Sequence, residues 1–350
     1  MAGPKLHIDL DAIVANWRMF QQCVAPGHSA AVVKADAYGL GAAPVAKALA
    51  NAGCVRFYVA WPSEGAALRR SLGDAAQIFV FHGPTPDTMD LLHTHKLVPV
   101  LNSIEQIDLW LAGNSQRPAA IHVDTGMNRL GVSEHHWTRA AKLLPNPVRL
   151  VSHLSCGDEE SPANDVQLKA FERASACWPG VQRSLSATGG AYLGKPWRFD
   201  EIRPGIGLYG GGPAPADGPS PRNVVTLTAP VLQVRDIKKG ESAGYGRTWT
   251  ASSDARLATI GLGYADGYLR SASNRGHVVV AGKKRPIVGR VSMDLIIVDV
   301  TGLSVSPGDD IEVIGPNMPL AEAAGAMGTI DYEILTRLGS RLERSYAGGE

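Results

Sequence analysis

No apolar run in these 350 residues approaches the roughly 18 to 20 that a membrane-crossing helix needs. The first stretch, MAGPKLHIDLDAIVANW, sets Asp9 and Asp11 where a secretory leader requires an apolar core, so the expectation is a cytoplasmic protein with no membrane partner. An excess of one charge is missing too. Lysine plus arginine (34) nearly cancels aspartate plus glutamate (33), leaving no basic footprint for nucleic acid. The four cysteines, Cys23, Cys54, Cys156 and Cys177, form no CxxC pair and no metal-ligand spacing, which favours reduced, mostly structural thiols and no metal site. Signatures for dinucleotide binding, a P-loop, zinc hydrolysis or serine hydrolysis are absent or too weak to carry weight. What is present is an ordinary globular balance, 45% hydrophobic and 19% charged residues, in a 37.0 kDa chain long enough for two domains.

Up to about residue 210 the chain alternates short β-branched apolar runs with longer stretches of helical period, such as Pro44 to Asn51 and Ala163 to Cys177. The expected strands are Ala31 to Lys34, Val55 to Ala60, Ile78 to Phe81, Val98 to Leu101, Ala119 to Val123, Val148 to His153, Arg183 to Ala187 and Ile206 to Tyr209. Eight βα steps of about twenty residues predict a closed (β/α)8 TIM-like barrel, with an open doubly wound sheet as the structural rival. The run GGGPAPADGPSPRN, Gly210 to Asn223, is too rich in glycine and proline for a helix or strand interior and reads as a junction. The partition is therefore an α/β barrel domain over 1–223 and a mainly β domain over 224–350, the latter with one helical stretch from Leu320 to Ala326 and a polar run from Tyr332 to Arg344.

Lys34 is the most informative residue, because AAVVKADAYG ends an apolar strand on a lysine just before a turn. Burial there lowers an amine pKa and exposes the neutral, nucleophilic form that a Schiff base with an aldehyde requires; a lysine snorkelling from a barrel mouth is the bland alternative. Other polar groups follow the later strands: Asp124, Thr125, Gly126 and Arg129, then His153, then Thr188 with Gly189 and Gly190, then Arg203 and Gly205. All fall on one expected rim, and a hydroxyl after strand seven with a glycine turn at strand eight suits a phosphate held by backbone N–H groups. In the second domain GLGYADGY surrounds Tyr264 and Tyr268 with glycines suited to a turn or a close approach of backbone.

The segments AVVKADAYGLGA, HVDTGMNRLG, SHLSC, EIRPGIGLYG, GYGRTW, GYADGY, GRVSMDLIIVDV and DYEILTRLGSR occur in the order and spacing of the pyridoxal-phosphate-dependent alanine racemases, which the sequence resembles over nearly its whole length. The resemblance implies a head-to-tail homodimer in which each site combines one barrel with the other subunit's β domain. It implies that Lys34 binds pyridoxal 5'-phosphate as a Schiff base and serves as one catalytic base, with Tyr264 of the other subunit as the second. Two bases on opposite faces suit racemisation, where the α-proton leaves one side and returns on the other. A tyrosine with an ordinary pKa near 10 would need a depression of about three units, roughly 4 kcal/mol, to act at neutral pH. His153 and Arg203, which in that family connect to the tyrosine, are the implied source.

By the same resemblance Arg203 faces the pyridine nitrogen. A guanidinium only donates hydrogen bonds, so the nitrogen stays unprotonated and proton return outpaces transamination or decarboxylation. Tyr38, Thr188, Gly205, Ile206 and Tyr332 resemble the phosphate contacts, Arg129 the group near the cofactor phenolic oxygen and the substrate carboxylate, and Met293 a further carboxylate contact. The sequence departs from the family at His122, where many members carry a lysine that is often carbamylated, at Leu40 and Asn128, and at Ala187–Thr188, where the hydroxyl is kept. The implied reaction is interconversion of L- and D-alanine, supplying D-alanine for peptidoglycan. The rivals are a racemase of serine or of broader specificity and a non-catalytic protein that holds pyridoxal phosphate.

Overall fold

Parallel strands covered by helices are buried on both faces, and the run Val98–Leu101 shows this plainly, all four of its residues being buried. The computed structural model describes residues 3–114, 117–213, 215 and 219–349. The chain divides into two units, one of Ile13–Leu208 with Gly212–Arg222, the other of the segment up to Ala12, Tyr209–Gly211 and Asn223–Gly348.

In the first unit seven parallel strands lie side by side in chain order: Ala31–Val32, Arg56–Val59, Gln77–Val80, Val98–Leu101, Ala120–His122, Arg149–Val151 and Arg183–Ser184. The eighth strand is not at Ile206–Tyr209, which forms a 3-10 turn instead. It is Glu201–Ile202, paired in parallel with His28–Ser29 just ahead of the first strand. The carbonyls of Asp200, Ile202 and Pro204 accept the N–H groups of His28, Ala30 and Val32 at 3.0, 2.9 and 3.1 Å, and Arg203 donates its N–H to Ser186 at 2.9 Å, so the barrel closes. Pro204 and the glycines after it stop the strand there. Helices return the chain between strands, among them Ala42–Asn51, Pro62–Leu72 and Pro162–Ser175; the last starts with proline in its first turn behind Ser161, whose hydroxyl accepts the Ala163 N–H.

The second unit is mostly strands. The long strand Val225–Ile237 pairs antiparallel with Lys5–Asp9, Asp310–Ile314 and Ala255–Ile260. Lys5–Asp9, within 1–223 in the sequence partition, thus forms part of this sheet, where its other neighbour is the parallel strand Glu343–Ala347. The helix expected from Leu320 runs Leu320–Met327, and the polar stretch after it holds a second helix, Asp331–Arg337. Gly210 to Asn223 shows neither helix nor strand among its described residues; residues 214 and 216–218 lie outside them. Among the described residues no helix is long and apolar enough to cross a membrane.

Candidate active site

Lys34 leaves the first barrel strand where the backbone turns left-handed. Ala35, Asp36, Ala37 and Tyr38 have φ of 52, 54, 53 and 57°, a conformation that costs an L residue roughly 1 to 2 kcal/mol. Two carboxylates hold this turn. Glu64 Oε1 accepts the Ala35 N–H at 2.7 Å and Asp36 Oδ1 accepts the Ala42 N–H at 2.7 Å. The Lys34 ammonium lies 5.8 Å from the centre of the Phe81 ring. Burial lowers its pKa, the nearby Arg129 guanidinium lowers it further, and Glu64 opposes both.

The turn delivers Tyr38, buried, to Gly205: a Cβ at Gly205 would stand 2.3 Å from the Tyr38 hydroxyl oxygen. Only glycine permits that approach. Thr188 Oγ1 accepts the N–H groups of Gly205 and Gly207 at 3.2 Å each, so the loops after strands seven and eight are fastened together around a hydroxyl. Burial pushes the Tyr38 phenol pKa up, with Asp158 adding to it. Tyr38, Thr188, Gly205 and the start of the Ile206–Tyr209 turn therefore gather at one place, as a phosphate cradle requires.

Arg203 is 2% exposed and held by neutral oxygens: Nη1 donates to Ser184 Oγ, Nη2 to the carbonyls of Ser152 and, at 3.3 Å, Leu185. Its guanidinium sits 6.0 Å from the Tyr58 ring centre. The Tyr58 hydroxyl donates to fully buried Glu201 at 2.6 Å, and Arg149 and Arg56 approach the other carboxylate oxygen at 3.3 and 3.5 Å.

Two imidazoles share this positive field. Burial first, then Arg203 and Arg129, push His153 down to about 3; burial, Arg203 and Arg129 push His122 down to about 4 against the pull of Asp124. Both rings are neutral at pH 7. Asn102 fixes the His122 tautomer, because its Nδ2 donates to the carbonyls of Phe81 and Val100 at 2.9 and 2.8 Å and leaves Oδ1 facing His122 Nδ1 at 2.7 Å. An amide oxygen only accepts, so Nδ1 carries the proton and Nε2 is an acceptor. Asp124 Oδ1 accepts the N–H groups of Gly126, Met127 and Asn128, forming the turn from which the exposed Arg129 projects.

In the second unit Tyr264 opens a short 3-10 turn and is 42% exposed, whereas Tyr268 is buried. The close approach expected of the surrounding glycines is real. A Cβ on Gly263 would stand 2.2 Å from the Met293 carbonyl oxygen, and the N–H groups of Tyr264 and Ala265 donate to Ser292 and Met293 at 3.0 Å. Asp266 Oδ2 caps the Gly263 N–H while its Oδ1 accepts from Arg341, which also reaches Asp294. Met293 is 52% exposed, and Tyr332 lies on helix Asp331–Arg337. Among the described residues no group of three or more His, Cys, Asp and Glu side chains could hold a metal ion.

A family model for the N-terminal domain of alanine racemase matches residues 8–213, and one for its C-terminal domain matches residues 224–346. The chain belongs to the alanine racemase family. It is 47% identical over 350 residues to the alanine racemase of Cereibacter sphaeroides, with 99% of each covered, and 44% identical over 360 residues to that of Rhodospirillum rubrum, covering 98% of this chain and 96% of the relative. A crystal structure of the alanine racemase of Bartonella henselae with covalently bound pyridoxal phosphate superposes with a TM-score of 0.93 at 40% identity, covering 99% of this chain and 100% of that one.

Within this family member, sequence reasoning named Lys34, Tyr38, Arg129, His153, Thr188, Arg203, Gly205 and Ile206, and all eight lie in the barrel unit. Tyr264, Met293 and Tyr332 lie in the other. Four supporting side chains, Glu64, Asn102, Tyr58 and Glu201, were not among them. Glu64 carried a signal, since Pro62 and Glu64 sit at the first and third positions of a helix start. Asn102 and the Tyr58–Glu201 pair carried none, because their partners are 20 and 143 residues away.

Proposed function

We propose that the chain is a pyridoxal-phosphate-dependent racemase that interconverts L- and D-alanine in the cytoplasm and supplies D-alanine for peptidoglycan. The observation that carries this reading is Lys34, a largely buried amine at the mouth of a barrel whose family relatives are alanine racemases. The barrel side chains suit the cofactor. Lys34 is the point of covalent attachment; the Thr188 hydroxyl, the start of the Ile206–Tyr209 turn and Tyr38, packed against Gly205, suit the phosphate. Arg203, with carbonyl and hydroxyl partners and, among the described residues, no carboxylate on its nitrogens, suits a ring nitrogen that must stay unprotonated. When bound, pyridoxal phosphate supplies an electron-accepting ring that stabilises the carbanion left by the departing α-proton.

The chain's own residues do the rest. Desolvation makes the Lys34 Nζ available as a neutral base, and the Tyr264 oxygen of a second copy holds the proton on the opposite face. Arg129, exposed on its turn, pairs with the substrate carboxylate, and Met293 of the second copy adds a backbone contact. His153 and Arg203 connect to that tyrosine. Because His153 is neutral, it can accept or donate one hydrogen bond without adding charge to the site.

Lys34→Ala should abolish both the yellow absorbance of the bound cofactor and the formation of D-alanine from L-alanine; retention of full activity would overturn the reading. Tyr264→Phe should selectively slow proton removal from L-alanine, followed as solvent deuterium incorporated from each enantiomer separately. Equal loss from both enantiomers would contradict a second base at Tyr264. A panel of small amino acids, serine included, decides how narrow the specificity is.

A further inference from the structure

We propose that Glu64 is a positioning residue for Lys34, its carboxylate holding in place the left-handed turn that begins at Ala35. The proposal rests on the reading of Lys34 given above. Helix Pro62–Leu72 needs from its third residue only an acceptor for the Trp61 N–H, which Glu64 Oε2 provides at 3.0 Å. Glu64 does more than cap. Oε2 also accepts the Ala60 N–H at 2.8 Å, while Oε1 reaches across to the Ala35 N–H at 2.7 Å. One carboxylate thereby joins the end of strand Arg56–Val59 and the start of the next helix to the residue that follows Lys34.

The turn needs such support. Four successive residues at φ of 52 to 57° revert to ordinary backbone unless their surroundings over-determine them, and none of the four is glycine. Asp36 fixes the exit of the turn through the Ala42 N–H, and Glu64 fixes its entrance. At the entrance stands the Lys34 amine and at the far end the Tyr38 hydroxyl against Gly205, so the staple sets the two groups in register. Glu64 is also the carboxylate that acts on the Lys34 charge, which adds an electrostatic arm to the mechanical one.

The test compares the wild-type holoprotein with Glu64→Gln, Glu64→Ala and the double variant Glu64→Ala/Ala35→Gly. Glutamine keeps one acceptor oxygen but turns an NH2 towards backbone donors. The pH midpoint of the yellow band is read in the resting protein without substrate, kcat and KM are measured alongside, and the thermal midpoint monitors folding. Glu64→Ala should lower kcat by about tenfold with KM within about threefold, as a small misplacement of a reacting group does. The band midpoint should shift by about half a pH unit or more, the carboxylate charge being lost. Glycine at 35 adopts positive φ freely and should restore kcat by about threefold. Glu64→Gln should fall between, and it decides the matter should the alanine variant fold poorly. A band and kcat left unchanged would overturn the proposal, as would a loss that Ala35→Gly does not relieve, the mark of helix capping alone. A colourless wild-type protein would sink the reading of Lys34 and this proposal with it; a coloured one indifferent to Glu64 would sink this proposal only.

Discussion

Lowering the pH from 7.5 to 5.5 should destabilise the folded protein more than its surface charge would suggest, because the barrel mouth holds two imidazoles neutral. His122 is pushed down to about 4 and His153 to about 3, against 6.5 for the unfolded chain. Between 6.5 and those values the unfolded chain binds protons that the folded one refuses. Stability is therefore unaffected above 6.5 and falls as the pH drops through that value. At pH 5.5 the difference is roughly 1.4 kcal/mol for each ring, and about 2 to 3 kcal/mol together once partial solvent access at the mouth is allowed for. His28 and His82 are lowered as well, both chiefly by burial, and act in the same direction. Most carboxylates titrate below this window, which isolates the histidines. Urea unfolding of the wild type and of His122→Gln at both pH values reads the effect. The variant should lose about 1 kcal/mol less than the wild type over the interval. Equal or greater wild-type stability at pH 5.5 would refute the claim that burial and the arginines keep these rings unprotonated.

Gly205→Ala puts a methyl group 2.3 Å from the Tyr38 hydroxyl oxygen and must displace the phenol. Affinity of the stripped protein for pyridoxal phosphate, followed by fluorescence titration, should drop about tenfold or more while circular dichroism is retained; unchanged affinity would remove this contact from the cofactor site. Tyr58→Phe takes away the hydroxyl that donates to fully buried Glu201 and should cost about 1 to 3 kcal/mol in urea unfolding. An unaltered midpoint would mean that Arg149 and Arg56 alone satisfy the carboxylate.

The barrel was legible because six of its strands lie in apolar runs at regular spacing, with RSLSA following at the same interval, and Lys34 was legible because a lysine at the end of such a run is chemically out of place. The eighth strand was not. Glu201–Ile202 opens on an acid and lasts two residues, whereas the neighbouring IGLY looks like a strand and is held as a turn by hydrogen bonds from Gly205 and Gly207 to Thr188. A buried glutamate reads as a strand residue only once Tyr58, Arg149 and Arg56 are seen around it. The same limit applies to His122. Its residue type invites an acid–base role, but its proton is assigned by Asn102, on the preceding strand's loop, through a contact that no local pattern encodes.

The strand Lys5–Asp9 is made long before either strand that flanks it. Its neighbours, Val225–Ile237 and Glu343–Ala347, lie more than two hundred residues downstream. During synthesis the intervening barrel segments emerge and can pair with one another, while this short strand has no edge to join until Val225–Ile237 has been made. A fragment starting at the junction would lack the strand that joins Glu343–Ala347 to Val225–Ile237, leaving two unsatisfied edges where one strand had bridged them.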